Sequence, residues 1–194
     1  MGLHLADVDL TTETVSSPRL LLRPWRDDDA AEVYRACQDP LIQTWVVAVP
    51  SPYTKGDARN FVSVLAWTER KAGTGMQFAV VLRDSGRLVA SAGLMRLTGP
   101  LGPEVGYWVA PLARGHGYAA EATDALAAWA FDHGFRRVSL LAAPDNGASC
   151  RTAERAGFSP EGLLREAETD RDGRPRSLVL YARLAGDAPA RKFG

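Results

Sequence analysis

Two kinds of hydrophobic pattern alternate along the chain. Short apolar runs, several of them rich in β-branched residues, predict strands, whereas segments with apolar residues three or four positions apart predict helices. The predicted strands cover residues 19–23, 76–82, 88–97, 104–109, 137–142, 158–168 and 177–184. The predicted helices cover residues 30–37, 58–71, 115–133 and 147–155.

The segments outside these elements set the expected domain limits. Residues 1–17 lack a clear period and predict a flexible N-terminal arm, and residues 185–194 predict a flexible tail. The Asp39-Pro40 pair predicts the end of the first helix, and the apolar segment 41–53 is expected to be irregular, either packed or forming a substrate wall. Residues 18–184 are therefore expected to form a single domain.

The order of the elements predicts the fold class. A long helix connects the strand ending at Val109 with the strand starting at Arg137, and such a crossover places two strands parallel. The other connections favour antiparallel neighbours. We expect a mixed α/β domain with a central sheet of about six to seven strands, mostly antiparallel with one parallel pair, and about four helices.

Composition narrows the function classes. The 194 residues carry a formal net charge of +0, which gives no reason to expect nucleic-acid binding. The two cysteines, Cys37 and Cys150, are too few for a disulfide framework or a four-ligand metal site. The N-terminus resembles no signal peptide, and no apolar run has the length of a membrane span. We therefore expect a cytoplasmic protein without a metal or a membrane partner.

Residues 104–121 combine a strand, a glycine-rich turn and the start of a helix. Backbone N–H groups at a helix N-terminus bind phosphate, and the glycines let the ligand approach the main chain. Residues 115–119 are therefore candidates for binding a phosphate-bearing ligand. A dinucleotide fingerprint is excluded because Ala120 stands where the third glycine would be, and no parallel βαβ series precedes the turn.

The same turn, together with the order of elements, resembles the GNAT superfamily of N-acetyltransferases. Arg114, Gly117 and Ala119 match its signature, which is Gln or Arg, two residues, Gly, one residue, then Gly or Ala. The strand before it, the later Asn146-x-x-Ser149 and the run 154–158 resemble the Rim-type branch of ribosomal-protein N-terminal acetyltransferases. The resemblance covers residues 18–184, most specifically 104–158. It implies acetyl-coenzyme A as donor, an amine as acceptor and no metal.

The resemblance also implies roles for individual residues in coenzyme binding. Backbone groups of the strand would polarise the thioester and pair with the pantetheine arm, and Asn146 would bind that arm or serve as a helix N-cap. Arg114 would add charge at the phosphates, while His116 would donate to a phosphate oxygen or be a spacer. The full set of coenzyme-binding candidates is Tyr107, Trp108, Val109, Arg114, Gly115, His116, Gly117, Tyr118, Ala119, Asn146 and Ser149.

Acyl transfer to an amine also needs proton transfers. Period-two alternation places Glu104, Gly106 and Trp108 on one face of a strand, and Gly106 leaves room for substrate or water. Glu104 is thus the candidate general base, the alternative being an exposed carboxylate at a strand edge. Ser149 and Tyr118 are the candidate proton donors to the departing thiolate.

The acceptor is less defined by the sequence. A peptide N-terminus and a small-molecule amine both remain open, as does a homodimer. Four aromatic residues, Trp25, Trp45, Tyr53 and Trp67, either line the acceptor groove or pack in the core. The expected function is N-acetyl transfer by direct attack in a ternary complex. The alternatives are a non-catalytic coenzyme A sensor or interaction module, and transfer of a longer acyl group such as succinyl.

Overall fold

A single mixed sheet forms the centre of the computed structural model, which describes residues 5, 8–187, 190 and 193. Its eight strands within that part of the chain lie in the order β1-β2-β3-β4-β5-β6-β8-β7. They are β1 Val15–Ser16, β2 Leu20–Arg23, β3 Met76–Leu82, β4 Leu88–Met95, β5 Glu104–Val109, β6 Arg137–Ala142, β7 Ser159–Thr169 and β8 Pro175–Leu184. Only β5 and β6 run parallel. The predicted mixed fold is confirmed, with β1 as the additional strand.

Helices cover both faces of this sheet. They are α1 Ala30–Ala36, α2 Pro40–Trp45, α3 Lys55–Asn60, α4 Ala66–Ala72, α5 Tyr118–Asp132 and α6 Gly147–Arg155. A π-helical segment, Phe61–Leu65, joins α3 to α4. Helices α5 and α6 pack on one face around Leu126 and Leu140, and α1 to α4 pack on the other around Val33 and Trp108. None of the helices in the described ranges is both long and apolar enough to cross a bilayer.

The segment after Asp39 is helical where we expected irregular structure. Pro40 is the first residue of α2, and the Asp39 side chain accepts a 3.0 Å hydrogen bond from the Ile42 N–H. Proline interrupts a helix interior but suits the first turn, where its missing N–H would have no partner. The dipeptide that was expected to end the first helix therefore starts α2, and α1 already ends at Ala36. The remaining loop is packed, since Val49 and Tyr53 are buried.

The described part of the predicted N-terminal arm is folded onto the domain. Leu10 and Val15 are buried, and the Trp129 indole N–H donates to the Glu13 carboxylate at 2.9 Å. The buried guanidinium of Arg70 donates to the carbonyl of Leu10. These contacts reach distant parts of the chain, so no local period in residues 8–17 signals them. The rest of the arm, and residues 188, 189, 191, 192 and 194 of the predicted tail, lie outside the described residues.

Candidate active site

Strands β5 and β6 pair at their starts and then separate. Glu104 faces Ser139 and Val105 faces Leu140, whereas residues 106–109 pair with β4 alone. Two backbone hydrogen bonds show which neighbour the backbone groups of β5 face. The Ala110 N–H donates to the Val89 carbonyl of β4, and the Ser139 N–H of β6 donates to the Pro103 carbonyl. Because backbone groups alternate along a strand, odd-numbered residues of β5 face β6 and even-numbered residues face β4.

This alternation separates the three strand residues predicted to bind the coenzyme. The N–H groups of Tyr107 and Val109 point into the gap between β5 and β6, where a ligand can use them. Trp108 is oriented differently, because its backbone faces Ser91 of β4. Its side chain is buried with Trp25, at 6.4 Å between ring centroids. Trp108 therefore has a packing role here, and Tyr107 and Val109 are the residues that face the gap.

The glycine-rich turn between β5 and α5 has the expected geometry. Gly115 and Gly117 have φ angles of +83° and +78°, a conformation that residues with a Cβ rarely adopt. None of the N–H groups of residues 115–119 donates a hydrogen bond to another described residue. They sit at the N-terminus of the 15-residue helix α5, whose dipole favours an anion. The turn is thus suited to a phosphate group.

The Arg114 guanidinium is paired with a carboxylate that lies outside the phosphate turn. Its guanidinium forms a bidentate ion pair with Asp39, with N–O distances of 2.6 and 3.2 Å. The hydrogen bond from Arg114 lowers the pKa of the Asp39 carboxyl below its ordinary value. Arg114 therefore fastens the turn to the start of α2. The His116 Nδ1 lies 2.9 Å from the Arg114 carbonyl, and its ring stacks on Tyr118.

A buried ion pair between Arg19 and Glu121 supports the turn, and no sequence pattern suggested it. Glu121 of α5 is only 1% exposed and accepts hydrogen bonds from the Arg19 N–H at 2.9 Å and the Arg19 Nε at 2.7 Å. Arg19 also donates to the His116 carbonyl at 3.1 Å and lies over the Tyr118 ring. The only signal in the sequence is a carboxylate within an Ala-rich helix, because its partner is 102 residues away.

Helix α6 brings a hydroxyl group to β5. The Ser149 Oγ lies 2.9 Å from the Tyr107 hydroxyl, and the Asn146 side chain accepts from the Ser149 N–H at 3.2 Å. Burial raises the pKa of Tyr107, against hydrogen bonds with Ser149 and Thr152, so its phenol remains protonated at neutral pH. Tyr118, the other candidate proton donor, contacts Arg19 and His116 at the turn instead.

Glu104 lies inside the sheet, since β5 has a neighbour on each side. Its side chain is 15% exposed and pairs with Arg96 at 2.5 Å. Burial raises the pKa of the Glu104 carboxyl, Arg96 opposes the shift, and the nearby Glu168 adds to it. This environment differs from the exposed strand edge that was the alternative. A carboxylate with a raised pKa is better matched to proton abstraction near neutral pH than an ordinary glutamate.

The space beside Gly106 is filled rather than open. A Cβ atom built on Gly106 would lie 2.7 Å from the Met95 Cε. Met95 is the partner of Glu104 in the neighbouring strand, so its methyl group covers the surface next to the candidate base. Methionine side chains have three flexible torsions, so a small movement of Met95 would open this position.

The hairpin between β7 and β8 packs on α2 on the Glu104 side of the molecule. Arg171 Nη2 donates to the Gln43 carbonyl at 2.7 Å, and Arg176 donates to the Thr44 carbonyl at 3.2 Å. Arg176 also pairs with Glu168 and lies 5.5 Å from the Trp45 ring centroid. Sequence reasoning missed these contacts, because they join segments more than 120 residues apart.

The four aromatic acceptor candidates divide between core and surface. Trp25 and Tyr53 are buried in the core on the α1 to α4 side of the sheet. Trp67 lines an open surface groove together with Ser63 and Lys71. Trp45 lies beneath Arg176, beside the hairpin. Of the four, Trp45 is the one that contacts Arg176, the partner of Glu168.

Comparison with known proteins identifies the family. Residues 19–159 match the acetyltransferase (GNAT) domain. The chain is 26% identical over 153 residues to the uncharacterized N-acetyltransferase YnaD of Bacillus subtilis, covering 78% of this chain and 86% of that protein.

Solved structures share the fold. RimJ of Mycobacterium smegmatis, in complex with CoA-disulfide, matches with a TM-score of 0.78 and 25% identity, covering 91% of this chain and 89% of that one. A GNAT-family acetyltransferase from Bacillus anthracis matches with a TM-score of 0.79 and 23% identity, covering 90% of this chain and 100% of that one. The Rim-type resemblance is thereby confirmed. The chain belongs to the GNAT family of acetyl-coenzyme A-dependent acyltransferases.

Proposed function

We propose that this protein transfers an acetyl group from acetyl-coenzyme A directly to a primary amine while both substrates are bound. The observation that carries the proposal is the position of Glu104 at the point where β5 and β6 separate. The carboxylate and the backbone N–H groups of Tyr107 and Val109 then belong to one strand. A proton acceptor and carbonyl-binding donors are thus held in a fixed relationship by the sheet.

The strand supplies the electrostatic part of the reaction. As the amine attacks, the thioester oxygen gains negative charge, and a preorganised N–H donor stabilises that charge. Val109 N–H faces the gap and is our candidate for this donor. The phosphates of the coenzyme would bind the N–H groups of residues 115–119, which fixes the thioester relative to Val109.

Glu104 supplies the base. An amine with an ordinary pKa of about 8 to about 10 is protonated near neutral pH and cannot attack until it loses a proton. Burial raises the pKa of Glu104, which makes its carboxylate a stronger base. The pair with Arg96 orients the carboxylate, and water can carry the proton between the amine and Glu104.

The hydroxyl pair of Ser149 and Tyr107 supplies the acid. Collapse of the tetrahedral intermediate breaks the carbon–sulfur bond, and the thiolate that leaves needs a proton. We assign that proton to Ser149, which takes a proton from the Tyr107 phenol 2.9 Å away as it gives one up. Solvent then returns the proton to Tyr107, so neither hydroxyl remains charged. Tyr118 is a weaker candidate because its contacts are with Arg19 and His116.

A peptide N-terminus is the acceptor we favour. The 25% identity with RimJ supports the Rim-type branch, whose resemblance implies a protein α-amine. Glu168 lies close enough to Glu104 to raise its pKa, and each of these carboxylates is paired with an arginine. A small-molecule amine would use the same base and the same donors.

A panel assay tests this function. We expect coenzyme A thiol release from acetyl-coenzyme A with some N-terminal peptides or amines, and the mass of the acceptor should rise by about 42 Da, the size of one transferred acetyl group. Succinyl-coenzyme A in parallel separates acetyl from longer acyl transfer. Coenzyme binding without thiol release across a broad panel would instead indicate the sensor or interaction module.

A further inference from the structure

Among the residues that the structure describes, three arginine side chains lie around the phosphate turn, and two of them are already paired with carboxylates. Arg19 pairs with Glu121, and Arg114 pairs with Asp39. Arg155 differs from both: it has no carboxylate within 4.0 Å and donates no hydrogen bond to any residue in the described ranges. A cationic group without a counterion beside a set of N–H donors adds to the attraction for an anion.

The Arg155 guanidinium lies against the turn itself. A Cβ atom built on Gly117 would be 3.3 Å from the Arg155 Cζ and 3.4 Å from each Nη atom. The near-equal distances mean that the planar group lies flat over Gly117. The guanidinium therefore lies in contact distance of Gly117, one of the residues 115–119 whose backbone N–H groups have no partner among the described residues.

Helix α6 holds Arg155 in this place. Arg155 is the last residue of α6, two positions after the buried Ala153, and the same helix carries Asn146 and Ser149 at its other end. The ring centroid of Phe193 lies 5.6 Å from the Arg155 Cζ, a cation–π contact that further limits the guanidinium. A cation at a helix C-terminus is also favourable to the helix dipole, so the experiment must separate binding from helix stability.

We propose that Arg155 binds a phosphate group of the coenzyme and supplies the positive charge that the sequence pattern assigned to Arg114. A guanidinium and a phosphate form charge-assisted hydrogen bonds with paired, planar geometry. Both the pyrophosphate and the 3′-phosphate of coenzyme A offer this chemistry. The inference rests on coenzyme use by this family and is independent of the acceptor.

Calorimetric titration tests the proposal with coenzyme A and 3′-dephospho-coenzyme A. We expect Arg155→Gln to weaken coenzyme A binding about 10- to 100-fold, as the loss of a charged hydrogen bond predicts. If dephospho-coenzyme A binds the variant and the unmodified protein equally, the partner is the 3′-phosphate; if both ligands weaken, it is the pyrophosphate. Arg155→Lys keeps the charge without the paired geometry, so its affinity for coenzyme A should lie between those of the unmodified protein and Arg155→Gln. Arg59→Gln, an exposed arginine on the other face of the sheet, is the matched control.

Salt dependence separates phosphate binding from a structural role. The affinity difference between Arg155→Gln and the unmodified protein should shrink between about 0.05 M and about 0.5 M NaCl, because salt screens a charge–phosphate contact. Affinities within about twofold of each other for both ligands at low salt would overturn the proposal, since a charged hydrogen bond is worth more than that. A loss of the same size at both salt concentrations would overturn it as well, whether or not the Tm of the variant falls.

Discussion

The hydroxyl groups of Tyr107 and Ser149 lie 2.9 Å apart, joining strand β5 to helix α6 beside the gap in the sheet. If Ser149 protonates the departing thiolate, Ser149→Ala should lower kcat about 100-fold while the Kd for coenzyme A changes little. Tyr107→Phe should give a smaller decrease, because it removes only the partner hydroxyl. Steady-state kinetics and titration with coenzyme A measure the two quantities. Glu154→Gln, an exposed residue of the same helix, is the control, and a Ser149→Ala variant with unchanged kcat would leave the acid role without support.

Glu104 should control the pH dependence of the reaction. A base must be deprotonated, and burial raises its pKa, so the acidic limb of kcat/KM should lie above the ordinary glutamate value of 4.5. Glu104→Gln should remove that limb and lower kcat about 100-fold or more. Glu32→Gln, an exposed carboxylate on α1, is the matched control. An unaltered pH profile in Glu104→Gln would show that the base is elsewhere.

The same pKa shift has a consequence for stability. A carboxyl whose pKa is raised in the folded state binds its proton more tightly there, so its contribution to stability falls as the pH rises from 4.5 through the raised value. Glutamine does not titrate, so Glu104→Gln removes this pH-dependent loss of stability. The free energy of unfolding of the variant, relative to the unmodified protein, should therefore increase with pH across that window. Urea unfolding at several pH values measures it, and a difference that decreases with pH would contradict the assigned shift.

The ion pair of Arg19 and Glu121 should matter for both stability and coenzyme binding. Arg19→Met leaves the buried Glu121 carboxylate without its counterion and should lower the free energy of unfolding by about 3 kcal/mol. Loss of the bond to the His116 carbonyl should also raise the KM for acetyl-coenzyme A more than it lowers kcat. Arg35→Met removes an exposed pair of 3.8 Å and should cost less than about 1 kcal/mol. Equal effects of the two substitutions would refute the supporting role of Arg19.

Gly117 should not tolerate a side chain. Alanine in its left-handed conformation costs about 1 to 2 kcal/mol, and the added Cβ would press on the Arg155 guanidinium. Gly117→Ala should therefore lower stability and weaken coenzyme A binding together. Gly173→Ala in the β7–β8 hairpin has a similar φ of +79° and open space around it, so it should lower stability alone. Full coenzyme affinity in Gly117→Ala would argue against close approach of the ligand to the turn.

The sequence predicts the parts of this protein that depend on neighbouring residues. Alternation along β5, the glycines of the turn and the long crossover helix all lie within residues 104–132, and the parallel pair follows from them. It also predicts Asn146 as an N-cap, because the amide acts on the next helical turn.

Contacts between distant segments were not predictable in the same way. Arg19 and Glu121, Arg114 and Asp39, and Arg171 and Gln43 are each more than 70 residues apart, and no local pattern indicates which arginine meets which acceptor. The signature therefore points to Arg114 for the charge at the phosphates, and no local pattern points to Arg155. Pro40 is a different case, since its two opposite effects on a helix depend on which turn it occupies.

Two-substrate kinetics test the central claim of direct transfer. Initial rates measured while acetyl-coenzyme A and an accepted amine are both varied should give intersecting double-reciprocal lines, because both substrates bind before chemistry. The intact mass of the protein after incubation with acetyl-coenzyme A alone should be unchanged. Parallel lines, together with a protein that carries an acetyl group before the amine is added, would contradict the account.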